Sequence, residues 1–230
     1  MCRLALINNK GLNYIKEKYN LLEFFNYLQS TCGGHGNGIC IINNDNSSYI
    51  KKGVKLTNEK IIEIIDNNIG NLKWFIYHTR RASIGKIANT NCHPFKLRNK
   101  VLCMNGTEYW ALNTLNILNC DITDTELILK LSNKNLYSAT KRCSSVFIGL
   151  EKEKVFANRN SGPLKYLDTN TGGKIFSSDF PENILNSEQV YIAPKHWIEG
   201  EEINTGNLTQ YININDNCSY LHSYKYNILK

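Results

Sequence analysis

The chain has 230 residues, 42% of them hydrophobic, and a formal net charge of +7 at pH 7. That length can bury a substantial core, and one domain over 2–230 is expected. No apolar run approaches the roughly 20 residues of a membrane span. The start MCRLALINNKGLNYIKEKYN is too polar after Ile7 for a secretory signal, so a cytoplasmic protein is expected.

Residues 3–8, RLALIN, alternate and are rich in branched side chains, which predicts a strand immediately behind the N-terminus. LLEFFNYLQS (21–30) has helical spacing, CGGHGNG (32–38) is a glycine-rich turn, and ICIINN is a short strand. Thr57 can cap a helix through NEKIIEIIDNN. WFIYHT (74–79) reads as a buried strand that ends at a segment dense in polar residues, HTRRASIGKIANTNCHPF (78–95). KVLCMNG (100–106) is a strand running into an Asn-Gly turn, and TDTELILKL (123–131) opens with Thr123 and Glu126 in capping-box spacing. From about 144 the pattern is mainly strands: SVFIGLE, KVFANR, KIFSSD, QVYIA, TQYININ and SYLHSYKYN, so that 181–230 forms a strand-rich tail. Helices in groups beside antiparallel-looking strands predict an α+β fold of packed layers rather than a βαβ wind.

The eight cysteines, at 2, 32, 40, 92, 103, 120, 143 and 218, show no C-x-x-C spacing, so free thiols are expected and no metal site. Lys and Arg are spread along the chain without dense basic runs, which argues for a solvated surface over a nucleic-acid partner. No P-loop or dinucleotide motif calls for a cofactor.

Cys2 carries the sharper chemistry. An initiator methionine is commonly removed before a small residue, and Cys2 would then hold a free α-amine. That amine has a pKa of about 7.7–8.0 beside a thiol of about 8.5, so one residue could supply both base and nucleophile. A small hydrophobe entering the first strand explains the same cysteine equally well. Asn105 and Gly106, at a strand end, could offer a side-chain amide and an approachable backbone N–H to an oxyanion; a hairpin turn is the alternative. Arg80 and Asp124 are suitably typed for the α-carboxylate and α-ammonium of an amino-acid substrate, or for a surface ion pair and a cap.

Met1-Cys2, HTRRASIG (78–85), NCHPF (91–95), MNGTE (104–108) and TDTE (123–126), in that order, resemble the class II glutamine amidotransferases, whose glutaminase domain is an N-terminal-nucleophile hydrolase. CGGHGNGICI (32–41) and SGPLKY with GGKIFSSD (161–179) extend the likeness over residues 2–180. The resemblance implies a four-layer αββα sandwich. It implies that Cys2 attacks the side-chain amide of glutamine, releasing ammonia and leaving a γ-glutamyl thioester for water to cleave. Asn105 and Gly106 would stabilise the oxyanion, Arg80 would hold the α-carboxylate, Asp124 the α-ammonium, and Ser83 would keep a hydroxyl in the substrate loop 78–95.

Arg81, Ser83 and Ile84 stand where the family often has an aromatic and Thr-x-Gly, and Met104 replaces the common histidine before Asn-Gly. These departures leave the nucleophile intact and bear on the substrate. Three readings follow: a stand-alone glutaminase feeding ammonia to a separate synthase protein, a hydrolase of another γ-glutamyl amide, and a non-catalytic binding or regulatory domain of the same fold.

Overall fold

A computed structural model of the chain describes residues 2–211 apart from Ile84, Asp121, Asn133 and Lys134. β1 (Arg3–Asn8) runs directly into α1 (Asn9–Lys18), followed by α2 (Leu21–Cys32), β2 (Asn37–Asn43), β3 (Ser48–Gly53), α3 (Asn58–Asn68) and β4 (Leu72–Thr79). β5 (Phe95–Leu97) and β6 (Lys100–Asn105) form a hairpin, and α4 (Tyr109–Leu118), α5 (Asp124–Leu131) and α6 (Leu136–Thr140) come next. The remainder is β7 (Val146–Glu151), β8 (Lys154–Arg159), β9 (Lys165–Asp168), β10 (Lys174–Ser177), α7 (Glu182–Ser187), β11 (Val190–Ile192) and β12 (His196–Ile198).

The strands form two antiparallel sheets, ordered β11-β9-β10-β1-β4-β2-β3 and β12-β8-β7-β6-β5. Period-two alternation assigns each strand face to its own apolar layer. In β1, Ala5 and Ile7 pack against α1, α2 and α3, while Leu4 and Leu6 turn the other way. In β6, Val101 and Cys103 meet Leu4 and Leu6 between the sheets, while Leu102 and Met104 pack under α4, α5 and α6. Three apolar layers thus join four structural ones, helix, sheet, sheet, helix, which is the expected αββα sandwich of an α+β fold.

The expected helices over 21–30, 58–68 and 123–131 form, and the last two carry their side-chain caps: Thr57 accepts from the Lys60 N–H and Thr123 from the Glu126 N–H. Three differences stand out. The Asn-Gly step does not close a hairpin; it leads from β6 into α4. The region after 144 is not wholly strand, because α7 interrupts it. Of the expected strand TQYININ, Gln210 makes a single bridge to Tyr191, and the Tyr211 N–H donates to the Val190 carbonyl at 2.7 Å. The rest of that segment and all of SYLHSYKYN lie outside the described residues, as does Met1.

No helix among the described residues is long and apolar enough to cross a membrane.

Candidate active site

Register places the cleft. β1 pairs with β4 so that Arg3 faces Thr79, and the next step outward sets Cys2 beside Arg80. On the other side of β4, Asn37 faces Thr79, and the Arg80 N–H continues the ladder to the Gly36 carbonyl at 2.8 Å. The start of β1 is held from its other edge: the Ser178 Oγ accepts the Leu4 N–H at 3.0 Å, and Asp179 stands 3.7 Å from the Arg3 guanidinium.

The second sheet supplies the opposite wall. Asn105 ends β6, and its Oδ1 accepts the Cys2 backbone N–H at 3.0 Å. With Oδ1 engaged, the Nδ2 donors are what Asn105 can present to a ligand oxygen. Gly106 has φ +138°, and a Cβ there would lie 2.4 Å from the Ser145 Oγ, so glycine is required both by conformation and by close approach.

Cys2, Arg80, Gly106, Thr107 and Asp124 line one cleft, with the exposed Arg81 and Ser83 at its rim. The Cys2 Sγ sits 3.4 Å from the Arg81 N and 3.6 Å from the Arg81 O. Burial pushes the Cys2 thiol up, and the Arg81 backbone contact acts in the opposite direction. Arg80 is buried, and its Nη1 donates to the Lys86 carbonyl at 2.9 Å, which brings the Lys86 end of the segment after β4 against the guanidinium. The Ala82 N–H donates to His35 Nδ1 at 3.0 Å, tying the same segment to the glycine-rich turn.

Asp124 opens α5. Its Oδ2 accepts the Glu108 N–H at 3.0 Å and its Oδ1 the Thr125 N–H at 2.9 Å. Burial pushes its carboxyl up, those two N–H donors oppose the rise, and the Glu108 charge adds to it. Every residue picked from the sequence as a site candidate is therefore in or against this cleft. Ile84 lies outside the described residues.

Other residues around the cleft carry no role in the sequence reading. His93, in the cleft wall, and His78 have ring centroids 4.2 Å apart with planes tilted by 34°, and His93 Nε2 is 2.9 Å from the Thr125 Oγ1. His78 Nε2–H donates to the Met104 carbonyl at 3.2 Å. Burial lowers the pKa of both rings, His78 to about 3, so both are neutral. Glu108 is buried beside the Asn105-Gly106 turn. Its signal was present in MNGTE, a carboxylate two residues after the glycine, but spacing alone could not distinguish a buried acceptor from a helix-start charge.

No protein-family model matches the chain, and comparison with curated proteins gives no match. Solved structures do align. The allosteric regulatory enzyme of purine biosynthesis superimposes with TM-score 0.52 at 17% identity, covering 77% of this chain and 42% of that one. Glutamine phosphoribosylpyrophosphate amidotransferase from B. subtilis, complexed with ADP and GMP, gives 0.50 at 15%, covering 89% and 50%. A glutamine aminotransferase class-II domain protein from Silicibacter pomeroyi gives 0.50 at 14%, covering 86% and 98%. The chain spans half or less of the first two proteins and nearly all of the third. The likeness is one of fold: the chain shares its αββα architecture with these proteins.

Proposed function

We propose that this chain is a class II glutaminase, hydrolysing the side-chain amide of glutamine with Cys2 as an N-terminal nucleophile. The observation that carries the reading is the meeting of two sheets at one point. Cys2 immediately precedes β1, its N–H is bound by Asn105 of β6, Gly106 follows in a left-handed conformation, and Arg80 and Asp124 share the cleft.

In this reading Met1 is removed, and the freed α-amine takes the Cys2 thiol proton. The thiolate attacks the amide carbon, and the oxyanion receives hydrogen bonds from the Gly106 N–H and the Asn105 Nδ2. Collapse of the tetrahedral adduct breaks the C–N bond, and the α-ammonium returns its proton to the departing ammonia. Water then adds to the thioester, with the amine again as base, releasing glutamate and the thiol. Arg80 pairs with the substrate α-carboxylate through its planar fork, and Asp124, with two N–H donors already fixing its orientation, accepts the α-ammonium.

The chain acts as one unit over 2–230 and delivers ammonia to a separate synthase protein, since protonation in bulk water would waste a free amine. An alternative substrate is favoured by one observation: Arg81 and Ser83 stand exposed at the cleft rim, where a bulkier γ-glutamyl amide would extend.

Glutamate release decides between them. Cys2→Ala should abolish it, Arg80→Ala should act chiefly on KM, and a chain with a blocked N-terminus should be inert. Full activity of the blocked chain would overturn the mechanism. Faster turnover of a γ-glutamyl anilide than of glutamine would select the second substrate class.

A further inference from the structure

Glu108 precedes α4 and is 2% exposed, yet its carboxylate is met by neutral donors. Oε1 accepts the Ser144 N–H at 2.8 Å, the Ser145 N–H at 2.6 Å and the Ser144 hydroxyl at 3.0 Å. Oε2 accepts the Trp110 indole N–H at 3.1 Å. Such a set suits an acceptor with no hydrogens of its own, and a side-chain amide would turn donors toward donors on one side.

The two ends of this residue reach different parts of the cleft. Its side chain grips Ser144 and Ser145, and Ser145 is the residue that backs Gly106, where an added Cβ would strike the hydroxyl at 2.4 Å. Its backbone N–H binds Asp124 Oδ2 at 3.0 Å. One residue therefore spans from the turn carrying the oxyanion donor to the carboxylate proposed to hold the substrate ammonium.

We infer that Glu108 is a positioning residue that fixes the Gly106 donor and the Asp124 acceptor relative to each other, through the Ser144–Ser145 segment on one side and its own N–H on the other. The inference rests on the glutaminase reading. A misplacement of about 1 Å at such a pair costs on the order of 100-fold in rate, far more than loss of one buried hydrogen bond would suggest.

The test is Glu108→Gln, which preserves size, with active sites counted by stoichiometric alkylation of Cys2 by a glutamine-mimicking diazoketone. Glutamine turnover per titrated site should fall on the order of 100-fold, with a rise in KM. Unchanged turnover per titrated site, with merely fewer sites or a lower melting temperature, would show a structural role and overturn the inference.

A second readout uses charge. The Glu108 charge at the α4 start acts on Asp124, and Arg80, Cys2 and neutral His93 line the same cleft. Removing the Glu108 charge should move the acid limb of kcat/KM to lower pH. Should the wild-type chain prove inert toward glutamine, that counts against the glutaminase reading alone. The Asp124 carboxyl titration, followed by carbon NMR, then tests the link directly: it should move down in Glu108→Gln, and an unmoved titration overturns the link.

Discussion

Cys2 sits between opposing influences: burial disfavours its thiolate, while the Arg81 N–H at 3.4 Å favours it. In the proposed mechanism the α-amine freed by loss of Met1 resolves the conflict, because it takes the thiol proton and leaves an ammonium beside the thiolate. The neighbouring Gly106 has less freedom. At φ +138°, with Ser145 against its α-carbon, Gly106→Ala strains the backbone and pushes the donor N–H out of line. Its kcat for glutamine should drop by about 10²–10³, the usual effect of losing one oxyanion donor. An unchanged kcat would remove Gly106 from the proposed oxyanion site. At this scale the sequence was informative for residues whose chemistry is unusual for their position, such as Cys2 and the Asn105-Gly106 step. Glu108, His78 and His93 were not legible, because their roles depend on burial among partners distant in sequence.

The elements were legible where their periodicity matched their burial. β1, β4 and β6 alternate between two apolar layers, and α3 and α5 carry caps and one apolar face. α1 escaped the sequence reading because it packs partly through Gly11, where a Cβ would lie 2.9 Å from the Ile175 Cγ1. α4 escaped because it has no capping side chain and is apolar on its outer face too, with Tyr109 75% and Ile117 84% exposed. The glycine-rich turn is explained by contact between elements. A Cβ on Gly38 of β2 would lie 1.8 Å from the His93 carbonyl O, a backbone atom that no rotamer change can move aside. Gly38→Ala should therefore cost about 1–3 kcal/mol, the range for overpacking a close contact, and should disturb the His93–Thr125 bond. Urea unfolding checks this, and a change below about 0.5 kcal/mol, typical of a surface substitution, would contradict it.

Across the whole molecule, the sandwich buries two neutral histidines where strand β4 of the first sheet meets the segment leading into β5 of the second. Burial lowers both, and the nearby Lys52 and Arg80 charges act in the same direction. Their folded pKa values lie below the unfolded value of about 6.5. The unfolded chain therefore binds more protons as pH falls, so the stability they contribute is intact above about pH 6.5 and is lost progressively below it, toward the folded His78 value of about 3. Each ring contributes a slope on the order of 1.4 kcal/mol per pH unit well below pH 6.5. Denaturant unfolding between about pH 6.5 and pH 5 should show this loss, and His78→Gln should flatten it; an equal slope in the variant would place the titration elsewhere. The αββα layering itself was legible through the family-like motifs, whereas the order of helices and strands gave only an α+β fold of packed layers. The proposed function turns on Cys2 as an N-terminal nucleophile for glutamine. Intact mass of the untagged protein, before and after incubation with a glutamine-mimicking diazoketone, tests it most directly. Loss of Met1 and a single adduct mapping to Cys2, blocked by excess glutamine, is the expected result; a chain that begins at Cys2 yet forms no adduct would rule out this nucleophile.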